Sequence, residues 1–421
     1  MDVWIAGGVF VGAYALIASE RVDRTLVALL GGLSVVVLGV LDQHEAFAAI
    51  DLNVIFLLAG MMVLASGLAR TGLFEWLAVR SVRLSHGDPL RLLLILSFVT
   101  AALSALLDNV TTVVLMVPVT LSVAQRLRIS PKPYLISQIL ASNIGGAATL
   151  IGDPPNILIG SAAGLDFTEF LLNLGPVTVL VFVAFVVVMY FMFRGSLTPP
   201  DYRAELALEA TDPVAITDVR LLRRGLIVAA FTLLGFLLHS ALGLEAATIA
   251  LLGATVFMLA GGLDPHETFR DVEWSTLFFF VGLFVLVEAV VHVGIVAGLG
   301  DALAEAAGGH VGVASIALLW FSALASALVD NIPYTATAIP IVDRLIEGGL
   351  PAAPLWWSLA LGACLGGNLT IVGASANVVV VNMAARAGHP IRFAEFLRYG
   401  AIVVALSLVI SSLYVWLVYL L

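Results

Sequence analysis

What most constrains this chain is that it contains itself twice. "LDQHEAF" from Leu41 returns 222 residues later as "LDPHETF" from Leu263, pairing His44 with His266, Glu45 with Glu267 and Phe47 with Phe269. At the same offset Gly60 and Gly72 fall on Gly282 and Gly294. "LDNVTTVVLMVP" from Leu107 falls on "VDNIPYTATAIP" from Val329, so Asp108 matches Asp330, Asn109 matches Asn331 and Pro118 matches Pro340. With one residue lost, "GGAATLIGDPPN" from Gly145 meets "GGNLTIVGASAN" from Gly366, and "FTEF" from Phe167 meets "FAEF" from Phe393. A duplicated chain folds as two related units. They are read as 1–194 and 223–421, joined by a polar linker, 195–222, that carries Pro199 and Pro200.

The units belong in a bilayer. Of 421 residues 61% are hydrophobic and only 11% charged, and the mean hydropathy is +1.10. Apolar runs of about 17 to 25 residues recur, the length of a membrane helix, whereas a barrel would show shorter segments of period two. Each half reads as five crossings plus a hairpin. The crossings fall near 3–20, 25–41, 52–70, 134–152 and 170–194, then 224–242, 246–263, 274–292, 354–372 and 396–420. Only Met1 and Asp2 precede the first, so it is expected to stay as a span. The hairpins, 89–127 and 311–347, have Asp108-Asn109 and Asp330-Asn331 at turns with no polar loop, and read as re-entrant pairs ending inside the membrane. Two full spans in place of each would leave the topology unchanged. The expected fold is all-α and polytopic: about ten transmembrane helices, two re-entrant hairpins, and helices broken at the midplane over 134–156 and 354–377.

Five crossings is an odd number, so the second half enters the membrane upside down relative to the first. The basic residues test this independently. Of 19 Lys and Arg, all but Arg344 fall on one side of the proposed topology. Both termini are then expected outside and the linker in the cytoplasm, with the chain in the cell (inner) membrane. Inverted repeats with interrupted helices are a signature of secondary transporters.

Irregular backbone at membrane depth survives only where it lines a cavity or is buried in protein. "SNIGGAATLIGDPPN" is such a stretch. Gly145, Gly146 and Gly152 permit unwound conformations, Pro154 and Pro155 are expected to stop the helix, and freed carbonyls with Asn143, Thr149 and Asn156 can bind a solute or ion. The second half supplies Gly366, Gly367, Asn368, Thr370, Gly373, Ser375 and Asn377. The tips "DNVTT" and "DNIPYT", with Asp108, Asn109, Thr111, Thr112, Asp330, Asn331 and Thr335, would meet these breaks. Asp108 and Asp330 carry most weight, because a carboxylate in an apolar setting costs roughly 2.5 to 3.5 kcal/mol on insertion scales. Each would also serve as an N-cap. Asp153 has Ala374 as its counterpart, so it breaks the symmetry and could couple transport to protons or a cation.

Other positions weigh less. Glu288 and His292, at i and i+4, could relay protons but read more readily as an interfacial pair. His44 and His266 are expected in surface loops, and Cys364 in packing. A single cysteine excludes a disulfide framework and any multi-cysteine metal site, and a net charge of −10 argues against nucleic acid as a partner.

At "LLDNVTTVVLMVPVT", "SNIGGAATLIGDPPN", "VEWSTLFFFVGLFVLVEAVVH", "SALVDNIPYTATAIP" and "GGNLTIVGASANVVV" the sequence resembles the ion transporter superfamily. The likeness is to its arsenite permease and NhaD-type antiporter branch, and within that to the melanosomal P protein and its bacterial relatives. It covers nearly the whole chain outside the linker. It implies a substrate site where hairpin tips meet broken helices, a homodimer built on a scaffold part, an elevator-like movement and, for arsenite export, a cytoplasmic arsenical ATPase as a partner. The superfamily's dicarboxylate carriers have Ser-Asn-Thr at the hairpin tips; aspartate stands here in the serine position.

The residues and the resemblance together point to a secondary transporter, not an enzyme, with no cofactor beyond a coupling proton or sodium ion. Two carboxylates would repel an anionic substrate by about 4 kcal/mol per pair at 4 Å and an effective dielectric of 20. Arsenous acid is uncharged near neutral pH, so export of arsenite or antimonite as the neutral hydroxide, driven by protons, is the first reading. Sodium/proton antiport is the alternative, and a sodium-coupled dicarboxylate or other anion carrier comes third. An intramembrane aspartyl protease fails on its Gly-x-Gly-Asp signature, since Leu150 stands at the first glycine position.

Overall fold

The computed structural model describes residues 1–19, 21–195, 197 and 216–421. Most of the segment read as the linker lies outside the described residues. Among those described, the chain is helix and turn without strand.

Among the described residues, seven helices are long and apolar enough to cross a membrane: α1 (Asp2–Ser19), α4 (Leu52–Ala69), α10 (Phe167–Phe193), α11 (Val219–Leu242), α14 (Trp274–His292), α16 (Val311–Val329) and α20 (Phe393–Val415, continued by a π-turn to Leu420). Shorter apolar helices are α2 (Arg24–Val37), α6 (Pro89–Ser104), α12 (Ala246–Gly261) and α18 (Ala352–Gly366). Of the ten expected crossings, six are full-length helices, α2, α12 and α18 are short, and the one read at 134–152 is the 15-residue helix Lys132–Gly146. The seventh full-length helix, α16, is the first arm of the hairpin read as re-entrant, and α6 is the shorter first arm of the other. At 1.5 Å per residue, the 14 residues of α2 rise only about 21 Å, against roughly 30 Å of hydrocarbon. Glycines curtail the pair: Gly39 and Gly262, each closely following α2 or α12, have φ of +76° and +64°.

The remaining helices among the described residues are α3 (Gln43–Ala48), α5 (Leu73–Ser85), α7 (Asn109–Arg126), α8 (Lys132–Gly146), α9 (Pro154–Ala163), α13 (Pro265–Arg270), α15 (Ile295–Ala307), α17 (Asn331–Glu347) and α19 (Ser375–Arg386). Neither α5 nor α15 was evident from hydropathy. Each follows one member of the Gly72/Gly294 pair, whose φ values, +77° and +80°, turn the chain at the end of a span. His44 and His266 lie in the short helices α3 and α13 rather than in loops, and are exposed. Their acidic neighbours begin those helices: Asp42 accepts from Glu45 N at 2.8 Å, and Asp264 from His266 N at 2.8 Å.

The two halves interlock by mirrored contacts. Gly60 of α4 packs on Ala250 of α12, where an added Cβ would come within 2.7 Å of the Ala250 carbonyl carbon, and Gly282 of α14 packs equally closely on Ala28 of α2. Ala28 and Ala250 are themselves repeat partners. Small residues let these backbones approach, which is how helices gain packing energy in lipid. A second set of contacts joins α6 to α8 through Gly145 against Ala101, and α16 to α18 through Gly366 against Ala323. Outward faces are apolar: Leu172, Val179, Val183 and Val187 of α10 are exposed along one side, a stripe suited to lipid and not to water. At one rim Arg70 reaches Asp271 at 2.7 Å, and the Ser66 hydroxyl donates to the same carboxylate at 2.7 Å. The Ser66 bond, then Arg70, hold the Asp271 carboxyl below the usual carboxylate range.

The broken helices are the pairs α8/α9 and α18/α19. Pro154 and Pro155 do not stop a helix as expected; they begin α9, at positions where the missing N–H costs nothing. Helix resumes after each break and runs to Ala163 and Arg386, beyond the ranges read as broken.

Candidate functional site

Each break is fastened by the same four bonds. Asn156 Nδ2 donates to the carbonyls of Thr149 at 2.9 Å and Gly146 at 3.4 Å, and Asn377 Nδ2 to those of Thr370 at 2.9 Å and Gly367 at 2.7 Å. Thr149 Oγ1 donates to Ala105 O and Thr370 Oγ1 to Ala327 O, both at 2.6 Å. Ser104 donates to Ser142 O and Ser326 to Ala363 O, both at 2.7 Å. Gly152 and Gly373 close the turns: added Cβ atoms would lie 2.8 Å from Ser104 O and 2.7 Å from Gly367 O. Carbonyls that the sequence left free are thus taken, largely by side chains first read as ligand donors.

The hairpin tips converge on one acid. Asp153 is fully buried just before α9, and its Oδ1 accepts from Asn109 Nδ2 and Asn331 Nδ2, each at 3.1 Å. Asn331 also reaches Oδ2 at 3.2 Å. Asn109 Nδ2 bonds Asn143 Oδ1 at 3.1 Å, and Asn143 Nδ2 bonds Asn368 Oδ1 at 2.9 Å and Asn377 Oδ1 at 2.8 Å. One carboxylate therefore sits in a buried amide network built from both halves. Asn109 Oδ1 and Thr112 Oγ1 are buried without a hydrogen-bond partner, so the network keeps open capacity beside its acid.

Asp108 and Asp330 flank this network and differ. Asp108, in extended backbone, caps α7 by accepting from Thr111 N at 2.8 Å. Asp330 caps α17 through Oδ1, which accepts from Ile332 N at 3.0 Å, and has φ +96°, a conformation rare for any residue with a Cβ. Its Oδ2 accepts from Ser375 Oγ at 2.7 Å and lies 3.4 Å from Arg24 Nη1. Arg24 also donates to Ser375 Oγ. The hydroxyl of Thr335 is spent on Asn331 O at 2.7 Å, and Thr111 contributes its backbone. Glu288 and His292 stand apart on α14, half-buried and exposed, away from the amide network.

Three participants were not anticipated. Cys364 stands at the repeat position of Asn143, and its thiol donates to Asn156 Oδ1 at 3.4 Å inside the network. Arg24 and Tyr14 reach across from the first two helices; Tyr14 Oη donates to Pro333 O at 2.8 Å and lies 2.6 Å from Thr337 Oγ1. Sliding the sequence on itself does hold the signal, because the repeat partners of Tyr14 and Arg24 are Phe236 and Ala246. Two cavities related by the same offset open beside the breaks. One, about 340 Å³, is lined by Arg21, Asp23, Arg24, Asp330, Ser375 and Asn382. The other, about 370 Å³, is lined among others by Asn53, Ser161, Asp166, His239 and Glu245.

Comparison with known proteins agrees with this architecture. The sequence profile of the citrate transporter family (CitMHS) matches residues 14–362. An uncharacterized transporter of Mycobacterium tuberculosis is 45% identical over 422 residues, 99% of this chain and 98% of its own length. The human P protein is 34% identical over 498 residues, spanning 98% of this chain but 59% of the P protein. Among solved structures, the YdaH transporter of Alcanivorax borkumensis matches with a TM-score of 0.57 at 17% identity, over 99% of this chain and 97% of that one, a likeness of fold.

Proposed function

The chain belongs to the citrate transporter family of membrane transporters, and from that premise we propose that it exports arsenite or antimonite as the uncharged hydroxide, coupled to protons. The observation that carries this reading is Asp153: a fully buried carboxylate held by amides from both hairpin tips, with asparagines and no lysine or arginine among its described hydrogen-bond partners. Such a group suits a proton, and the surrounding amides suit hydroxyls. Citrate, the solute in the family's name, would bring carboxylates toward Asp108, Asp153 and Asp330, at about 4 kcal/mol per like-charged pair at 4 Å and a dielectric of 20. With one buried cysteine, Cys364, capture of trivalent arsenic by three thiolates is not open to this chain.

Transport would follow an elevator-like path, in which α6–α9 with α16–α19 move against α1–α4 with α11–α14. A homodimer through the latter set, an inner-membrane location with both termini outside, and a cytoplasmic arsenical ATPase as partner complete the proposal. Sodium/proton exchange is the second reading, favoured by the two further acids at the hairpin tips, and sodium-coupled dicarboxylate carriage the third. Everted membrane vesicles separate them. Proton-driven arsenite accumulation is expected, falling at least tenfold in Asp153→Asn and Asp108→Asn. Sodium-dependent recovery of a quenched pH probe with no arsenite present would replace this reading with the second.

A further inference from the structure

We infer that Arg24 is a tethered counter-cation, which replaces the coupling proton on Asp330 each time the site turns toward the face carrying the α1–α2 turn. The inference rests on the proposed proton coupling and adds to Asp153 a second proton-exchanging carboxylate, Asp330, paired with a cation that Asp108 lacks. Arg24 is the first residue of α2, and its guanidinium lies over the Phe279 ring of α14, 5.2 Å from the centroid. Those two helices are locked together, since an added Cβ on Gly32 of α2 would meet Gly282 O at 2.9 Å. Arg24 is therefore fixed to one part of the molecule, while Asp330 sits at the tip of a hairpin in the other. Only Oδ1 of Asp330 is spent on its helix, which leaves Oδ2 to the 3.4 Å ion pair and to Ser375.

The repeat sharpens the argument. At the corresponding positions Asp108 would face Ala246 for Arg24 and Pro154 for Ser375, neither of which offers a side-chain hydrogen bond. The exchange thus has one seat. When the hairpin leaves the α1–α2 turn, the ion pair breaks, and a carboxylate entering an apolar interior without its cation takes up a proton. On return, the guanidinium pairs with the carboxylate and the proton departs through the 340 Å³ cavity, which opens beside both groups. One proton is taken and one released per cycle, with no other reactant. The charged groups facing this exchange are Arg24, Arg21 and Asp23 of the α1–α2 turn and Asp153 of the first break, with Ser375 of α19 bonded to Asp330 and Glu273, which accepts from Thr276, within electrostatic reach of Arg24.

The test needs no transported solute, so it stands or falls apart from arsenite. Asn382→Cys, on the cavity wall, is labelled with a membrane-impermeant maleimide in proteoliposomes across pH 5.5 to 9, the native Cys364 being buried. Labelling, divided at each pH by the rate of a free cysteine peptide because maleimide attacks the thiolate, should rise with pH through one transition, since proton loss favours the Arg24-paired state. Asp330→Asn and Arg24→Gln should each flatten that transition at least fivefold. The double variant should add nothing further, while Arg24→Lys and Asp108→Asn should keep it. Absence of the transition in the parent, its persistence in Asp330→Asn, or its loss in Asp108→Asn alone would overturn the assignment. Size-exclusion profiles identify any variant that misfolds, and the Arg24→Lys and Asp108→Asn arms still decide.

Discussion

Asn156 and Asn377 show how much one side chain does in this fold. Each amide nitrogen satisfies carbonyls that a broken helix has released, at full burial. Asn156→Ala should therefore cost roughly 1–3 kcal/mol for stranded buried acceptors. A lowered melting temperature in detergent is expected, with Asn377→Ala behaving alike; an unchanged melting temperature for both would contradict the bonding described. At this scale the sequence was legible where a residue type conflicted with its surroundings. Asp108, Asp153 and Asp330 stood out because acids in apolar runs need a reason. Thr149, Thr335 and Thr370 did not separate from ligand donors, since a threonine that bonds a carbonyl looks the same in sequence as one that binds a solute. Arg24 was counted only as a topological marker, because its partner is 306 residues away.

At the scale of elements, the same logic governs where helices touch. Gly145 and Gly366 have no room for a Cβ, each abutting backbone of the hairpin helix opposite, whereas nothing lies within 4 Å of a Cβ on Gly8. Gly145→Ala and Gly366→Ala should each lower stability by about 1–3 kcal/mol through overpacking, while Gly8→Ala should not. Thermal shift in matched detergent distinguishes them. Long apolar helices were readable from hydropathy alone. The amphipathic α5 and α15 were not, because a helix lying outside the apolar runs leaves no hydropathy peak, and only the left-handed Gly72 and Gly294 announce it. The prolines misled for a related reason: Pro154 and Pro155 forbid helix before them, yet favour its start, and the sequence alone does not say which applies.

For the whole molecule, orientation is the quantity most open to direct measurement. Eighteen of the 19 basic residues share one face in the proposed topology. An impermeant thiol reagent should therefore reach Arg80→Cys only from the cytoplasmic side and His310→Cys only from outside; the reverse pattern would invert the molecule. Duplication made this architecture visible without any neighbour for comparison. Yet the places where the copies disagree carry the sharper message. Tyr14 is tied to the second hairpin through Pro333 and Thr337, and Phe236 has no hydroxyl with which to make the corresponding tie to the first. Two conformations that exchange the roles of the copies cannot then be equal in energy. Each hydrogen bond of about 1 kcal/mol tilts the balance severalfold. In the proposed alternating cycle such a tilt sets a resting posture and gives the two membrane faces unequal half-saturation for the solute, while the gradients alone fix the direction of net transport.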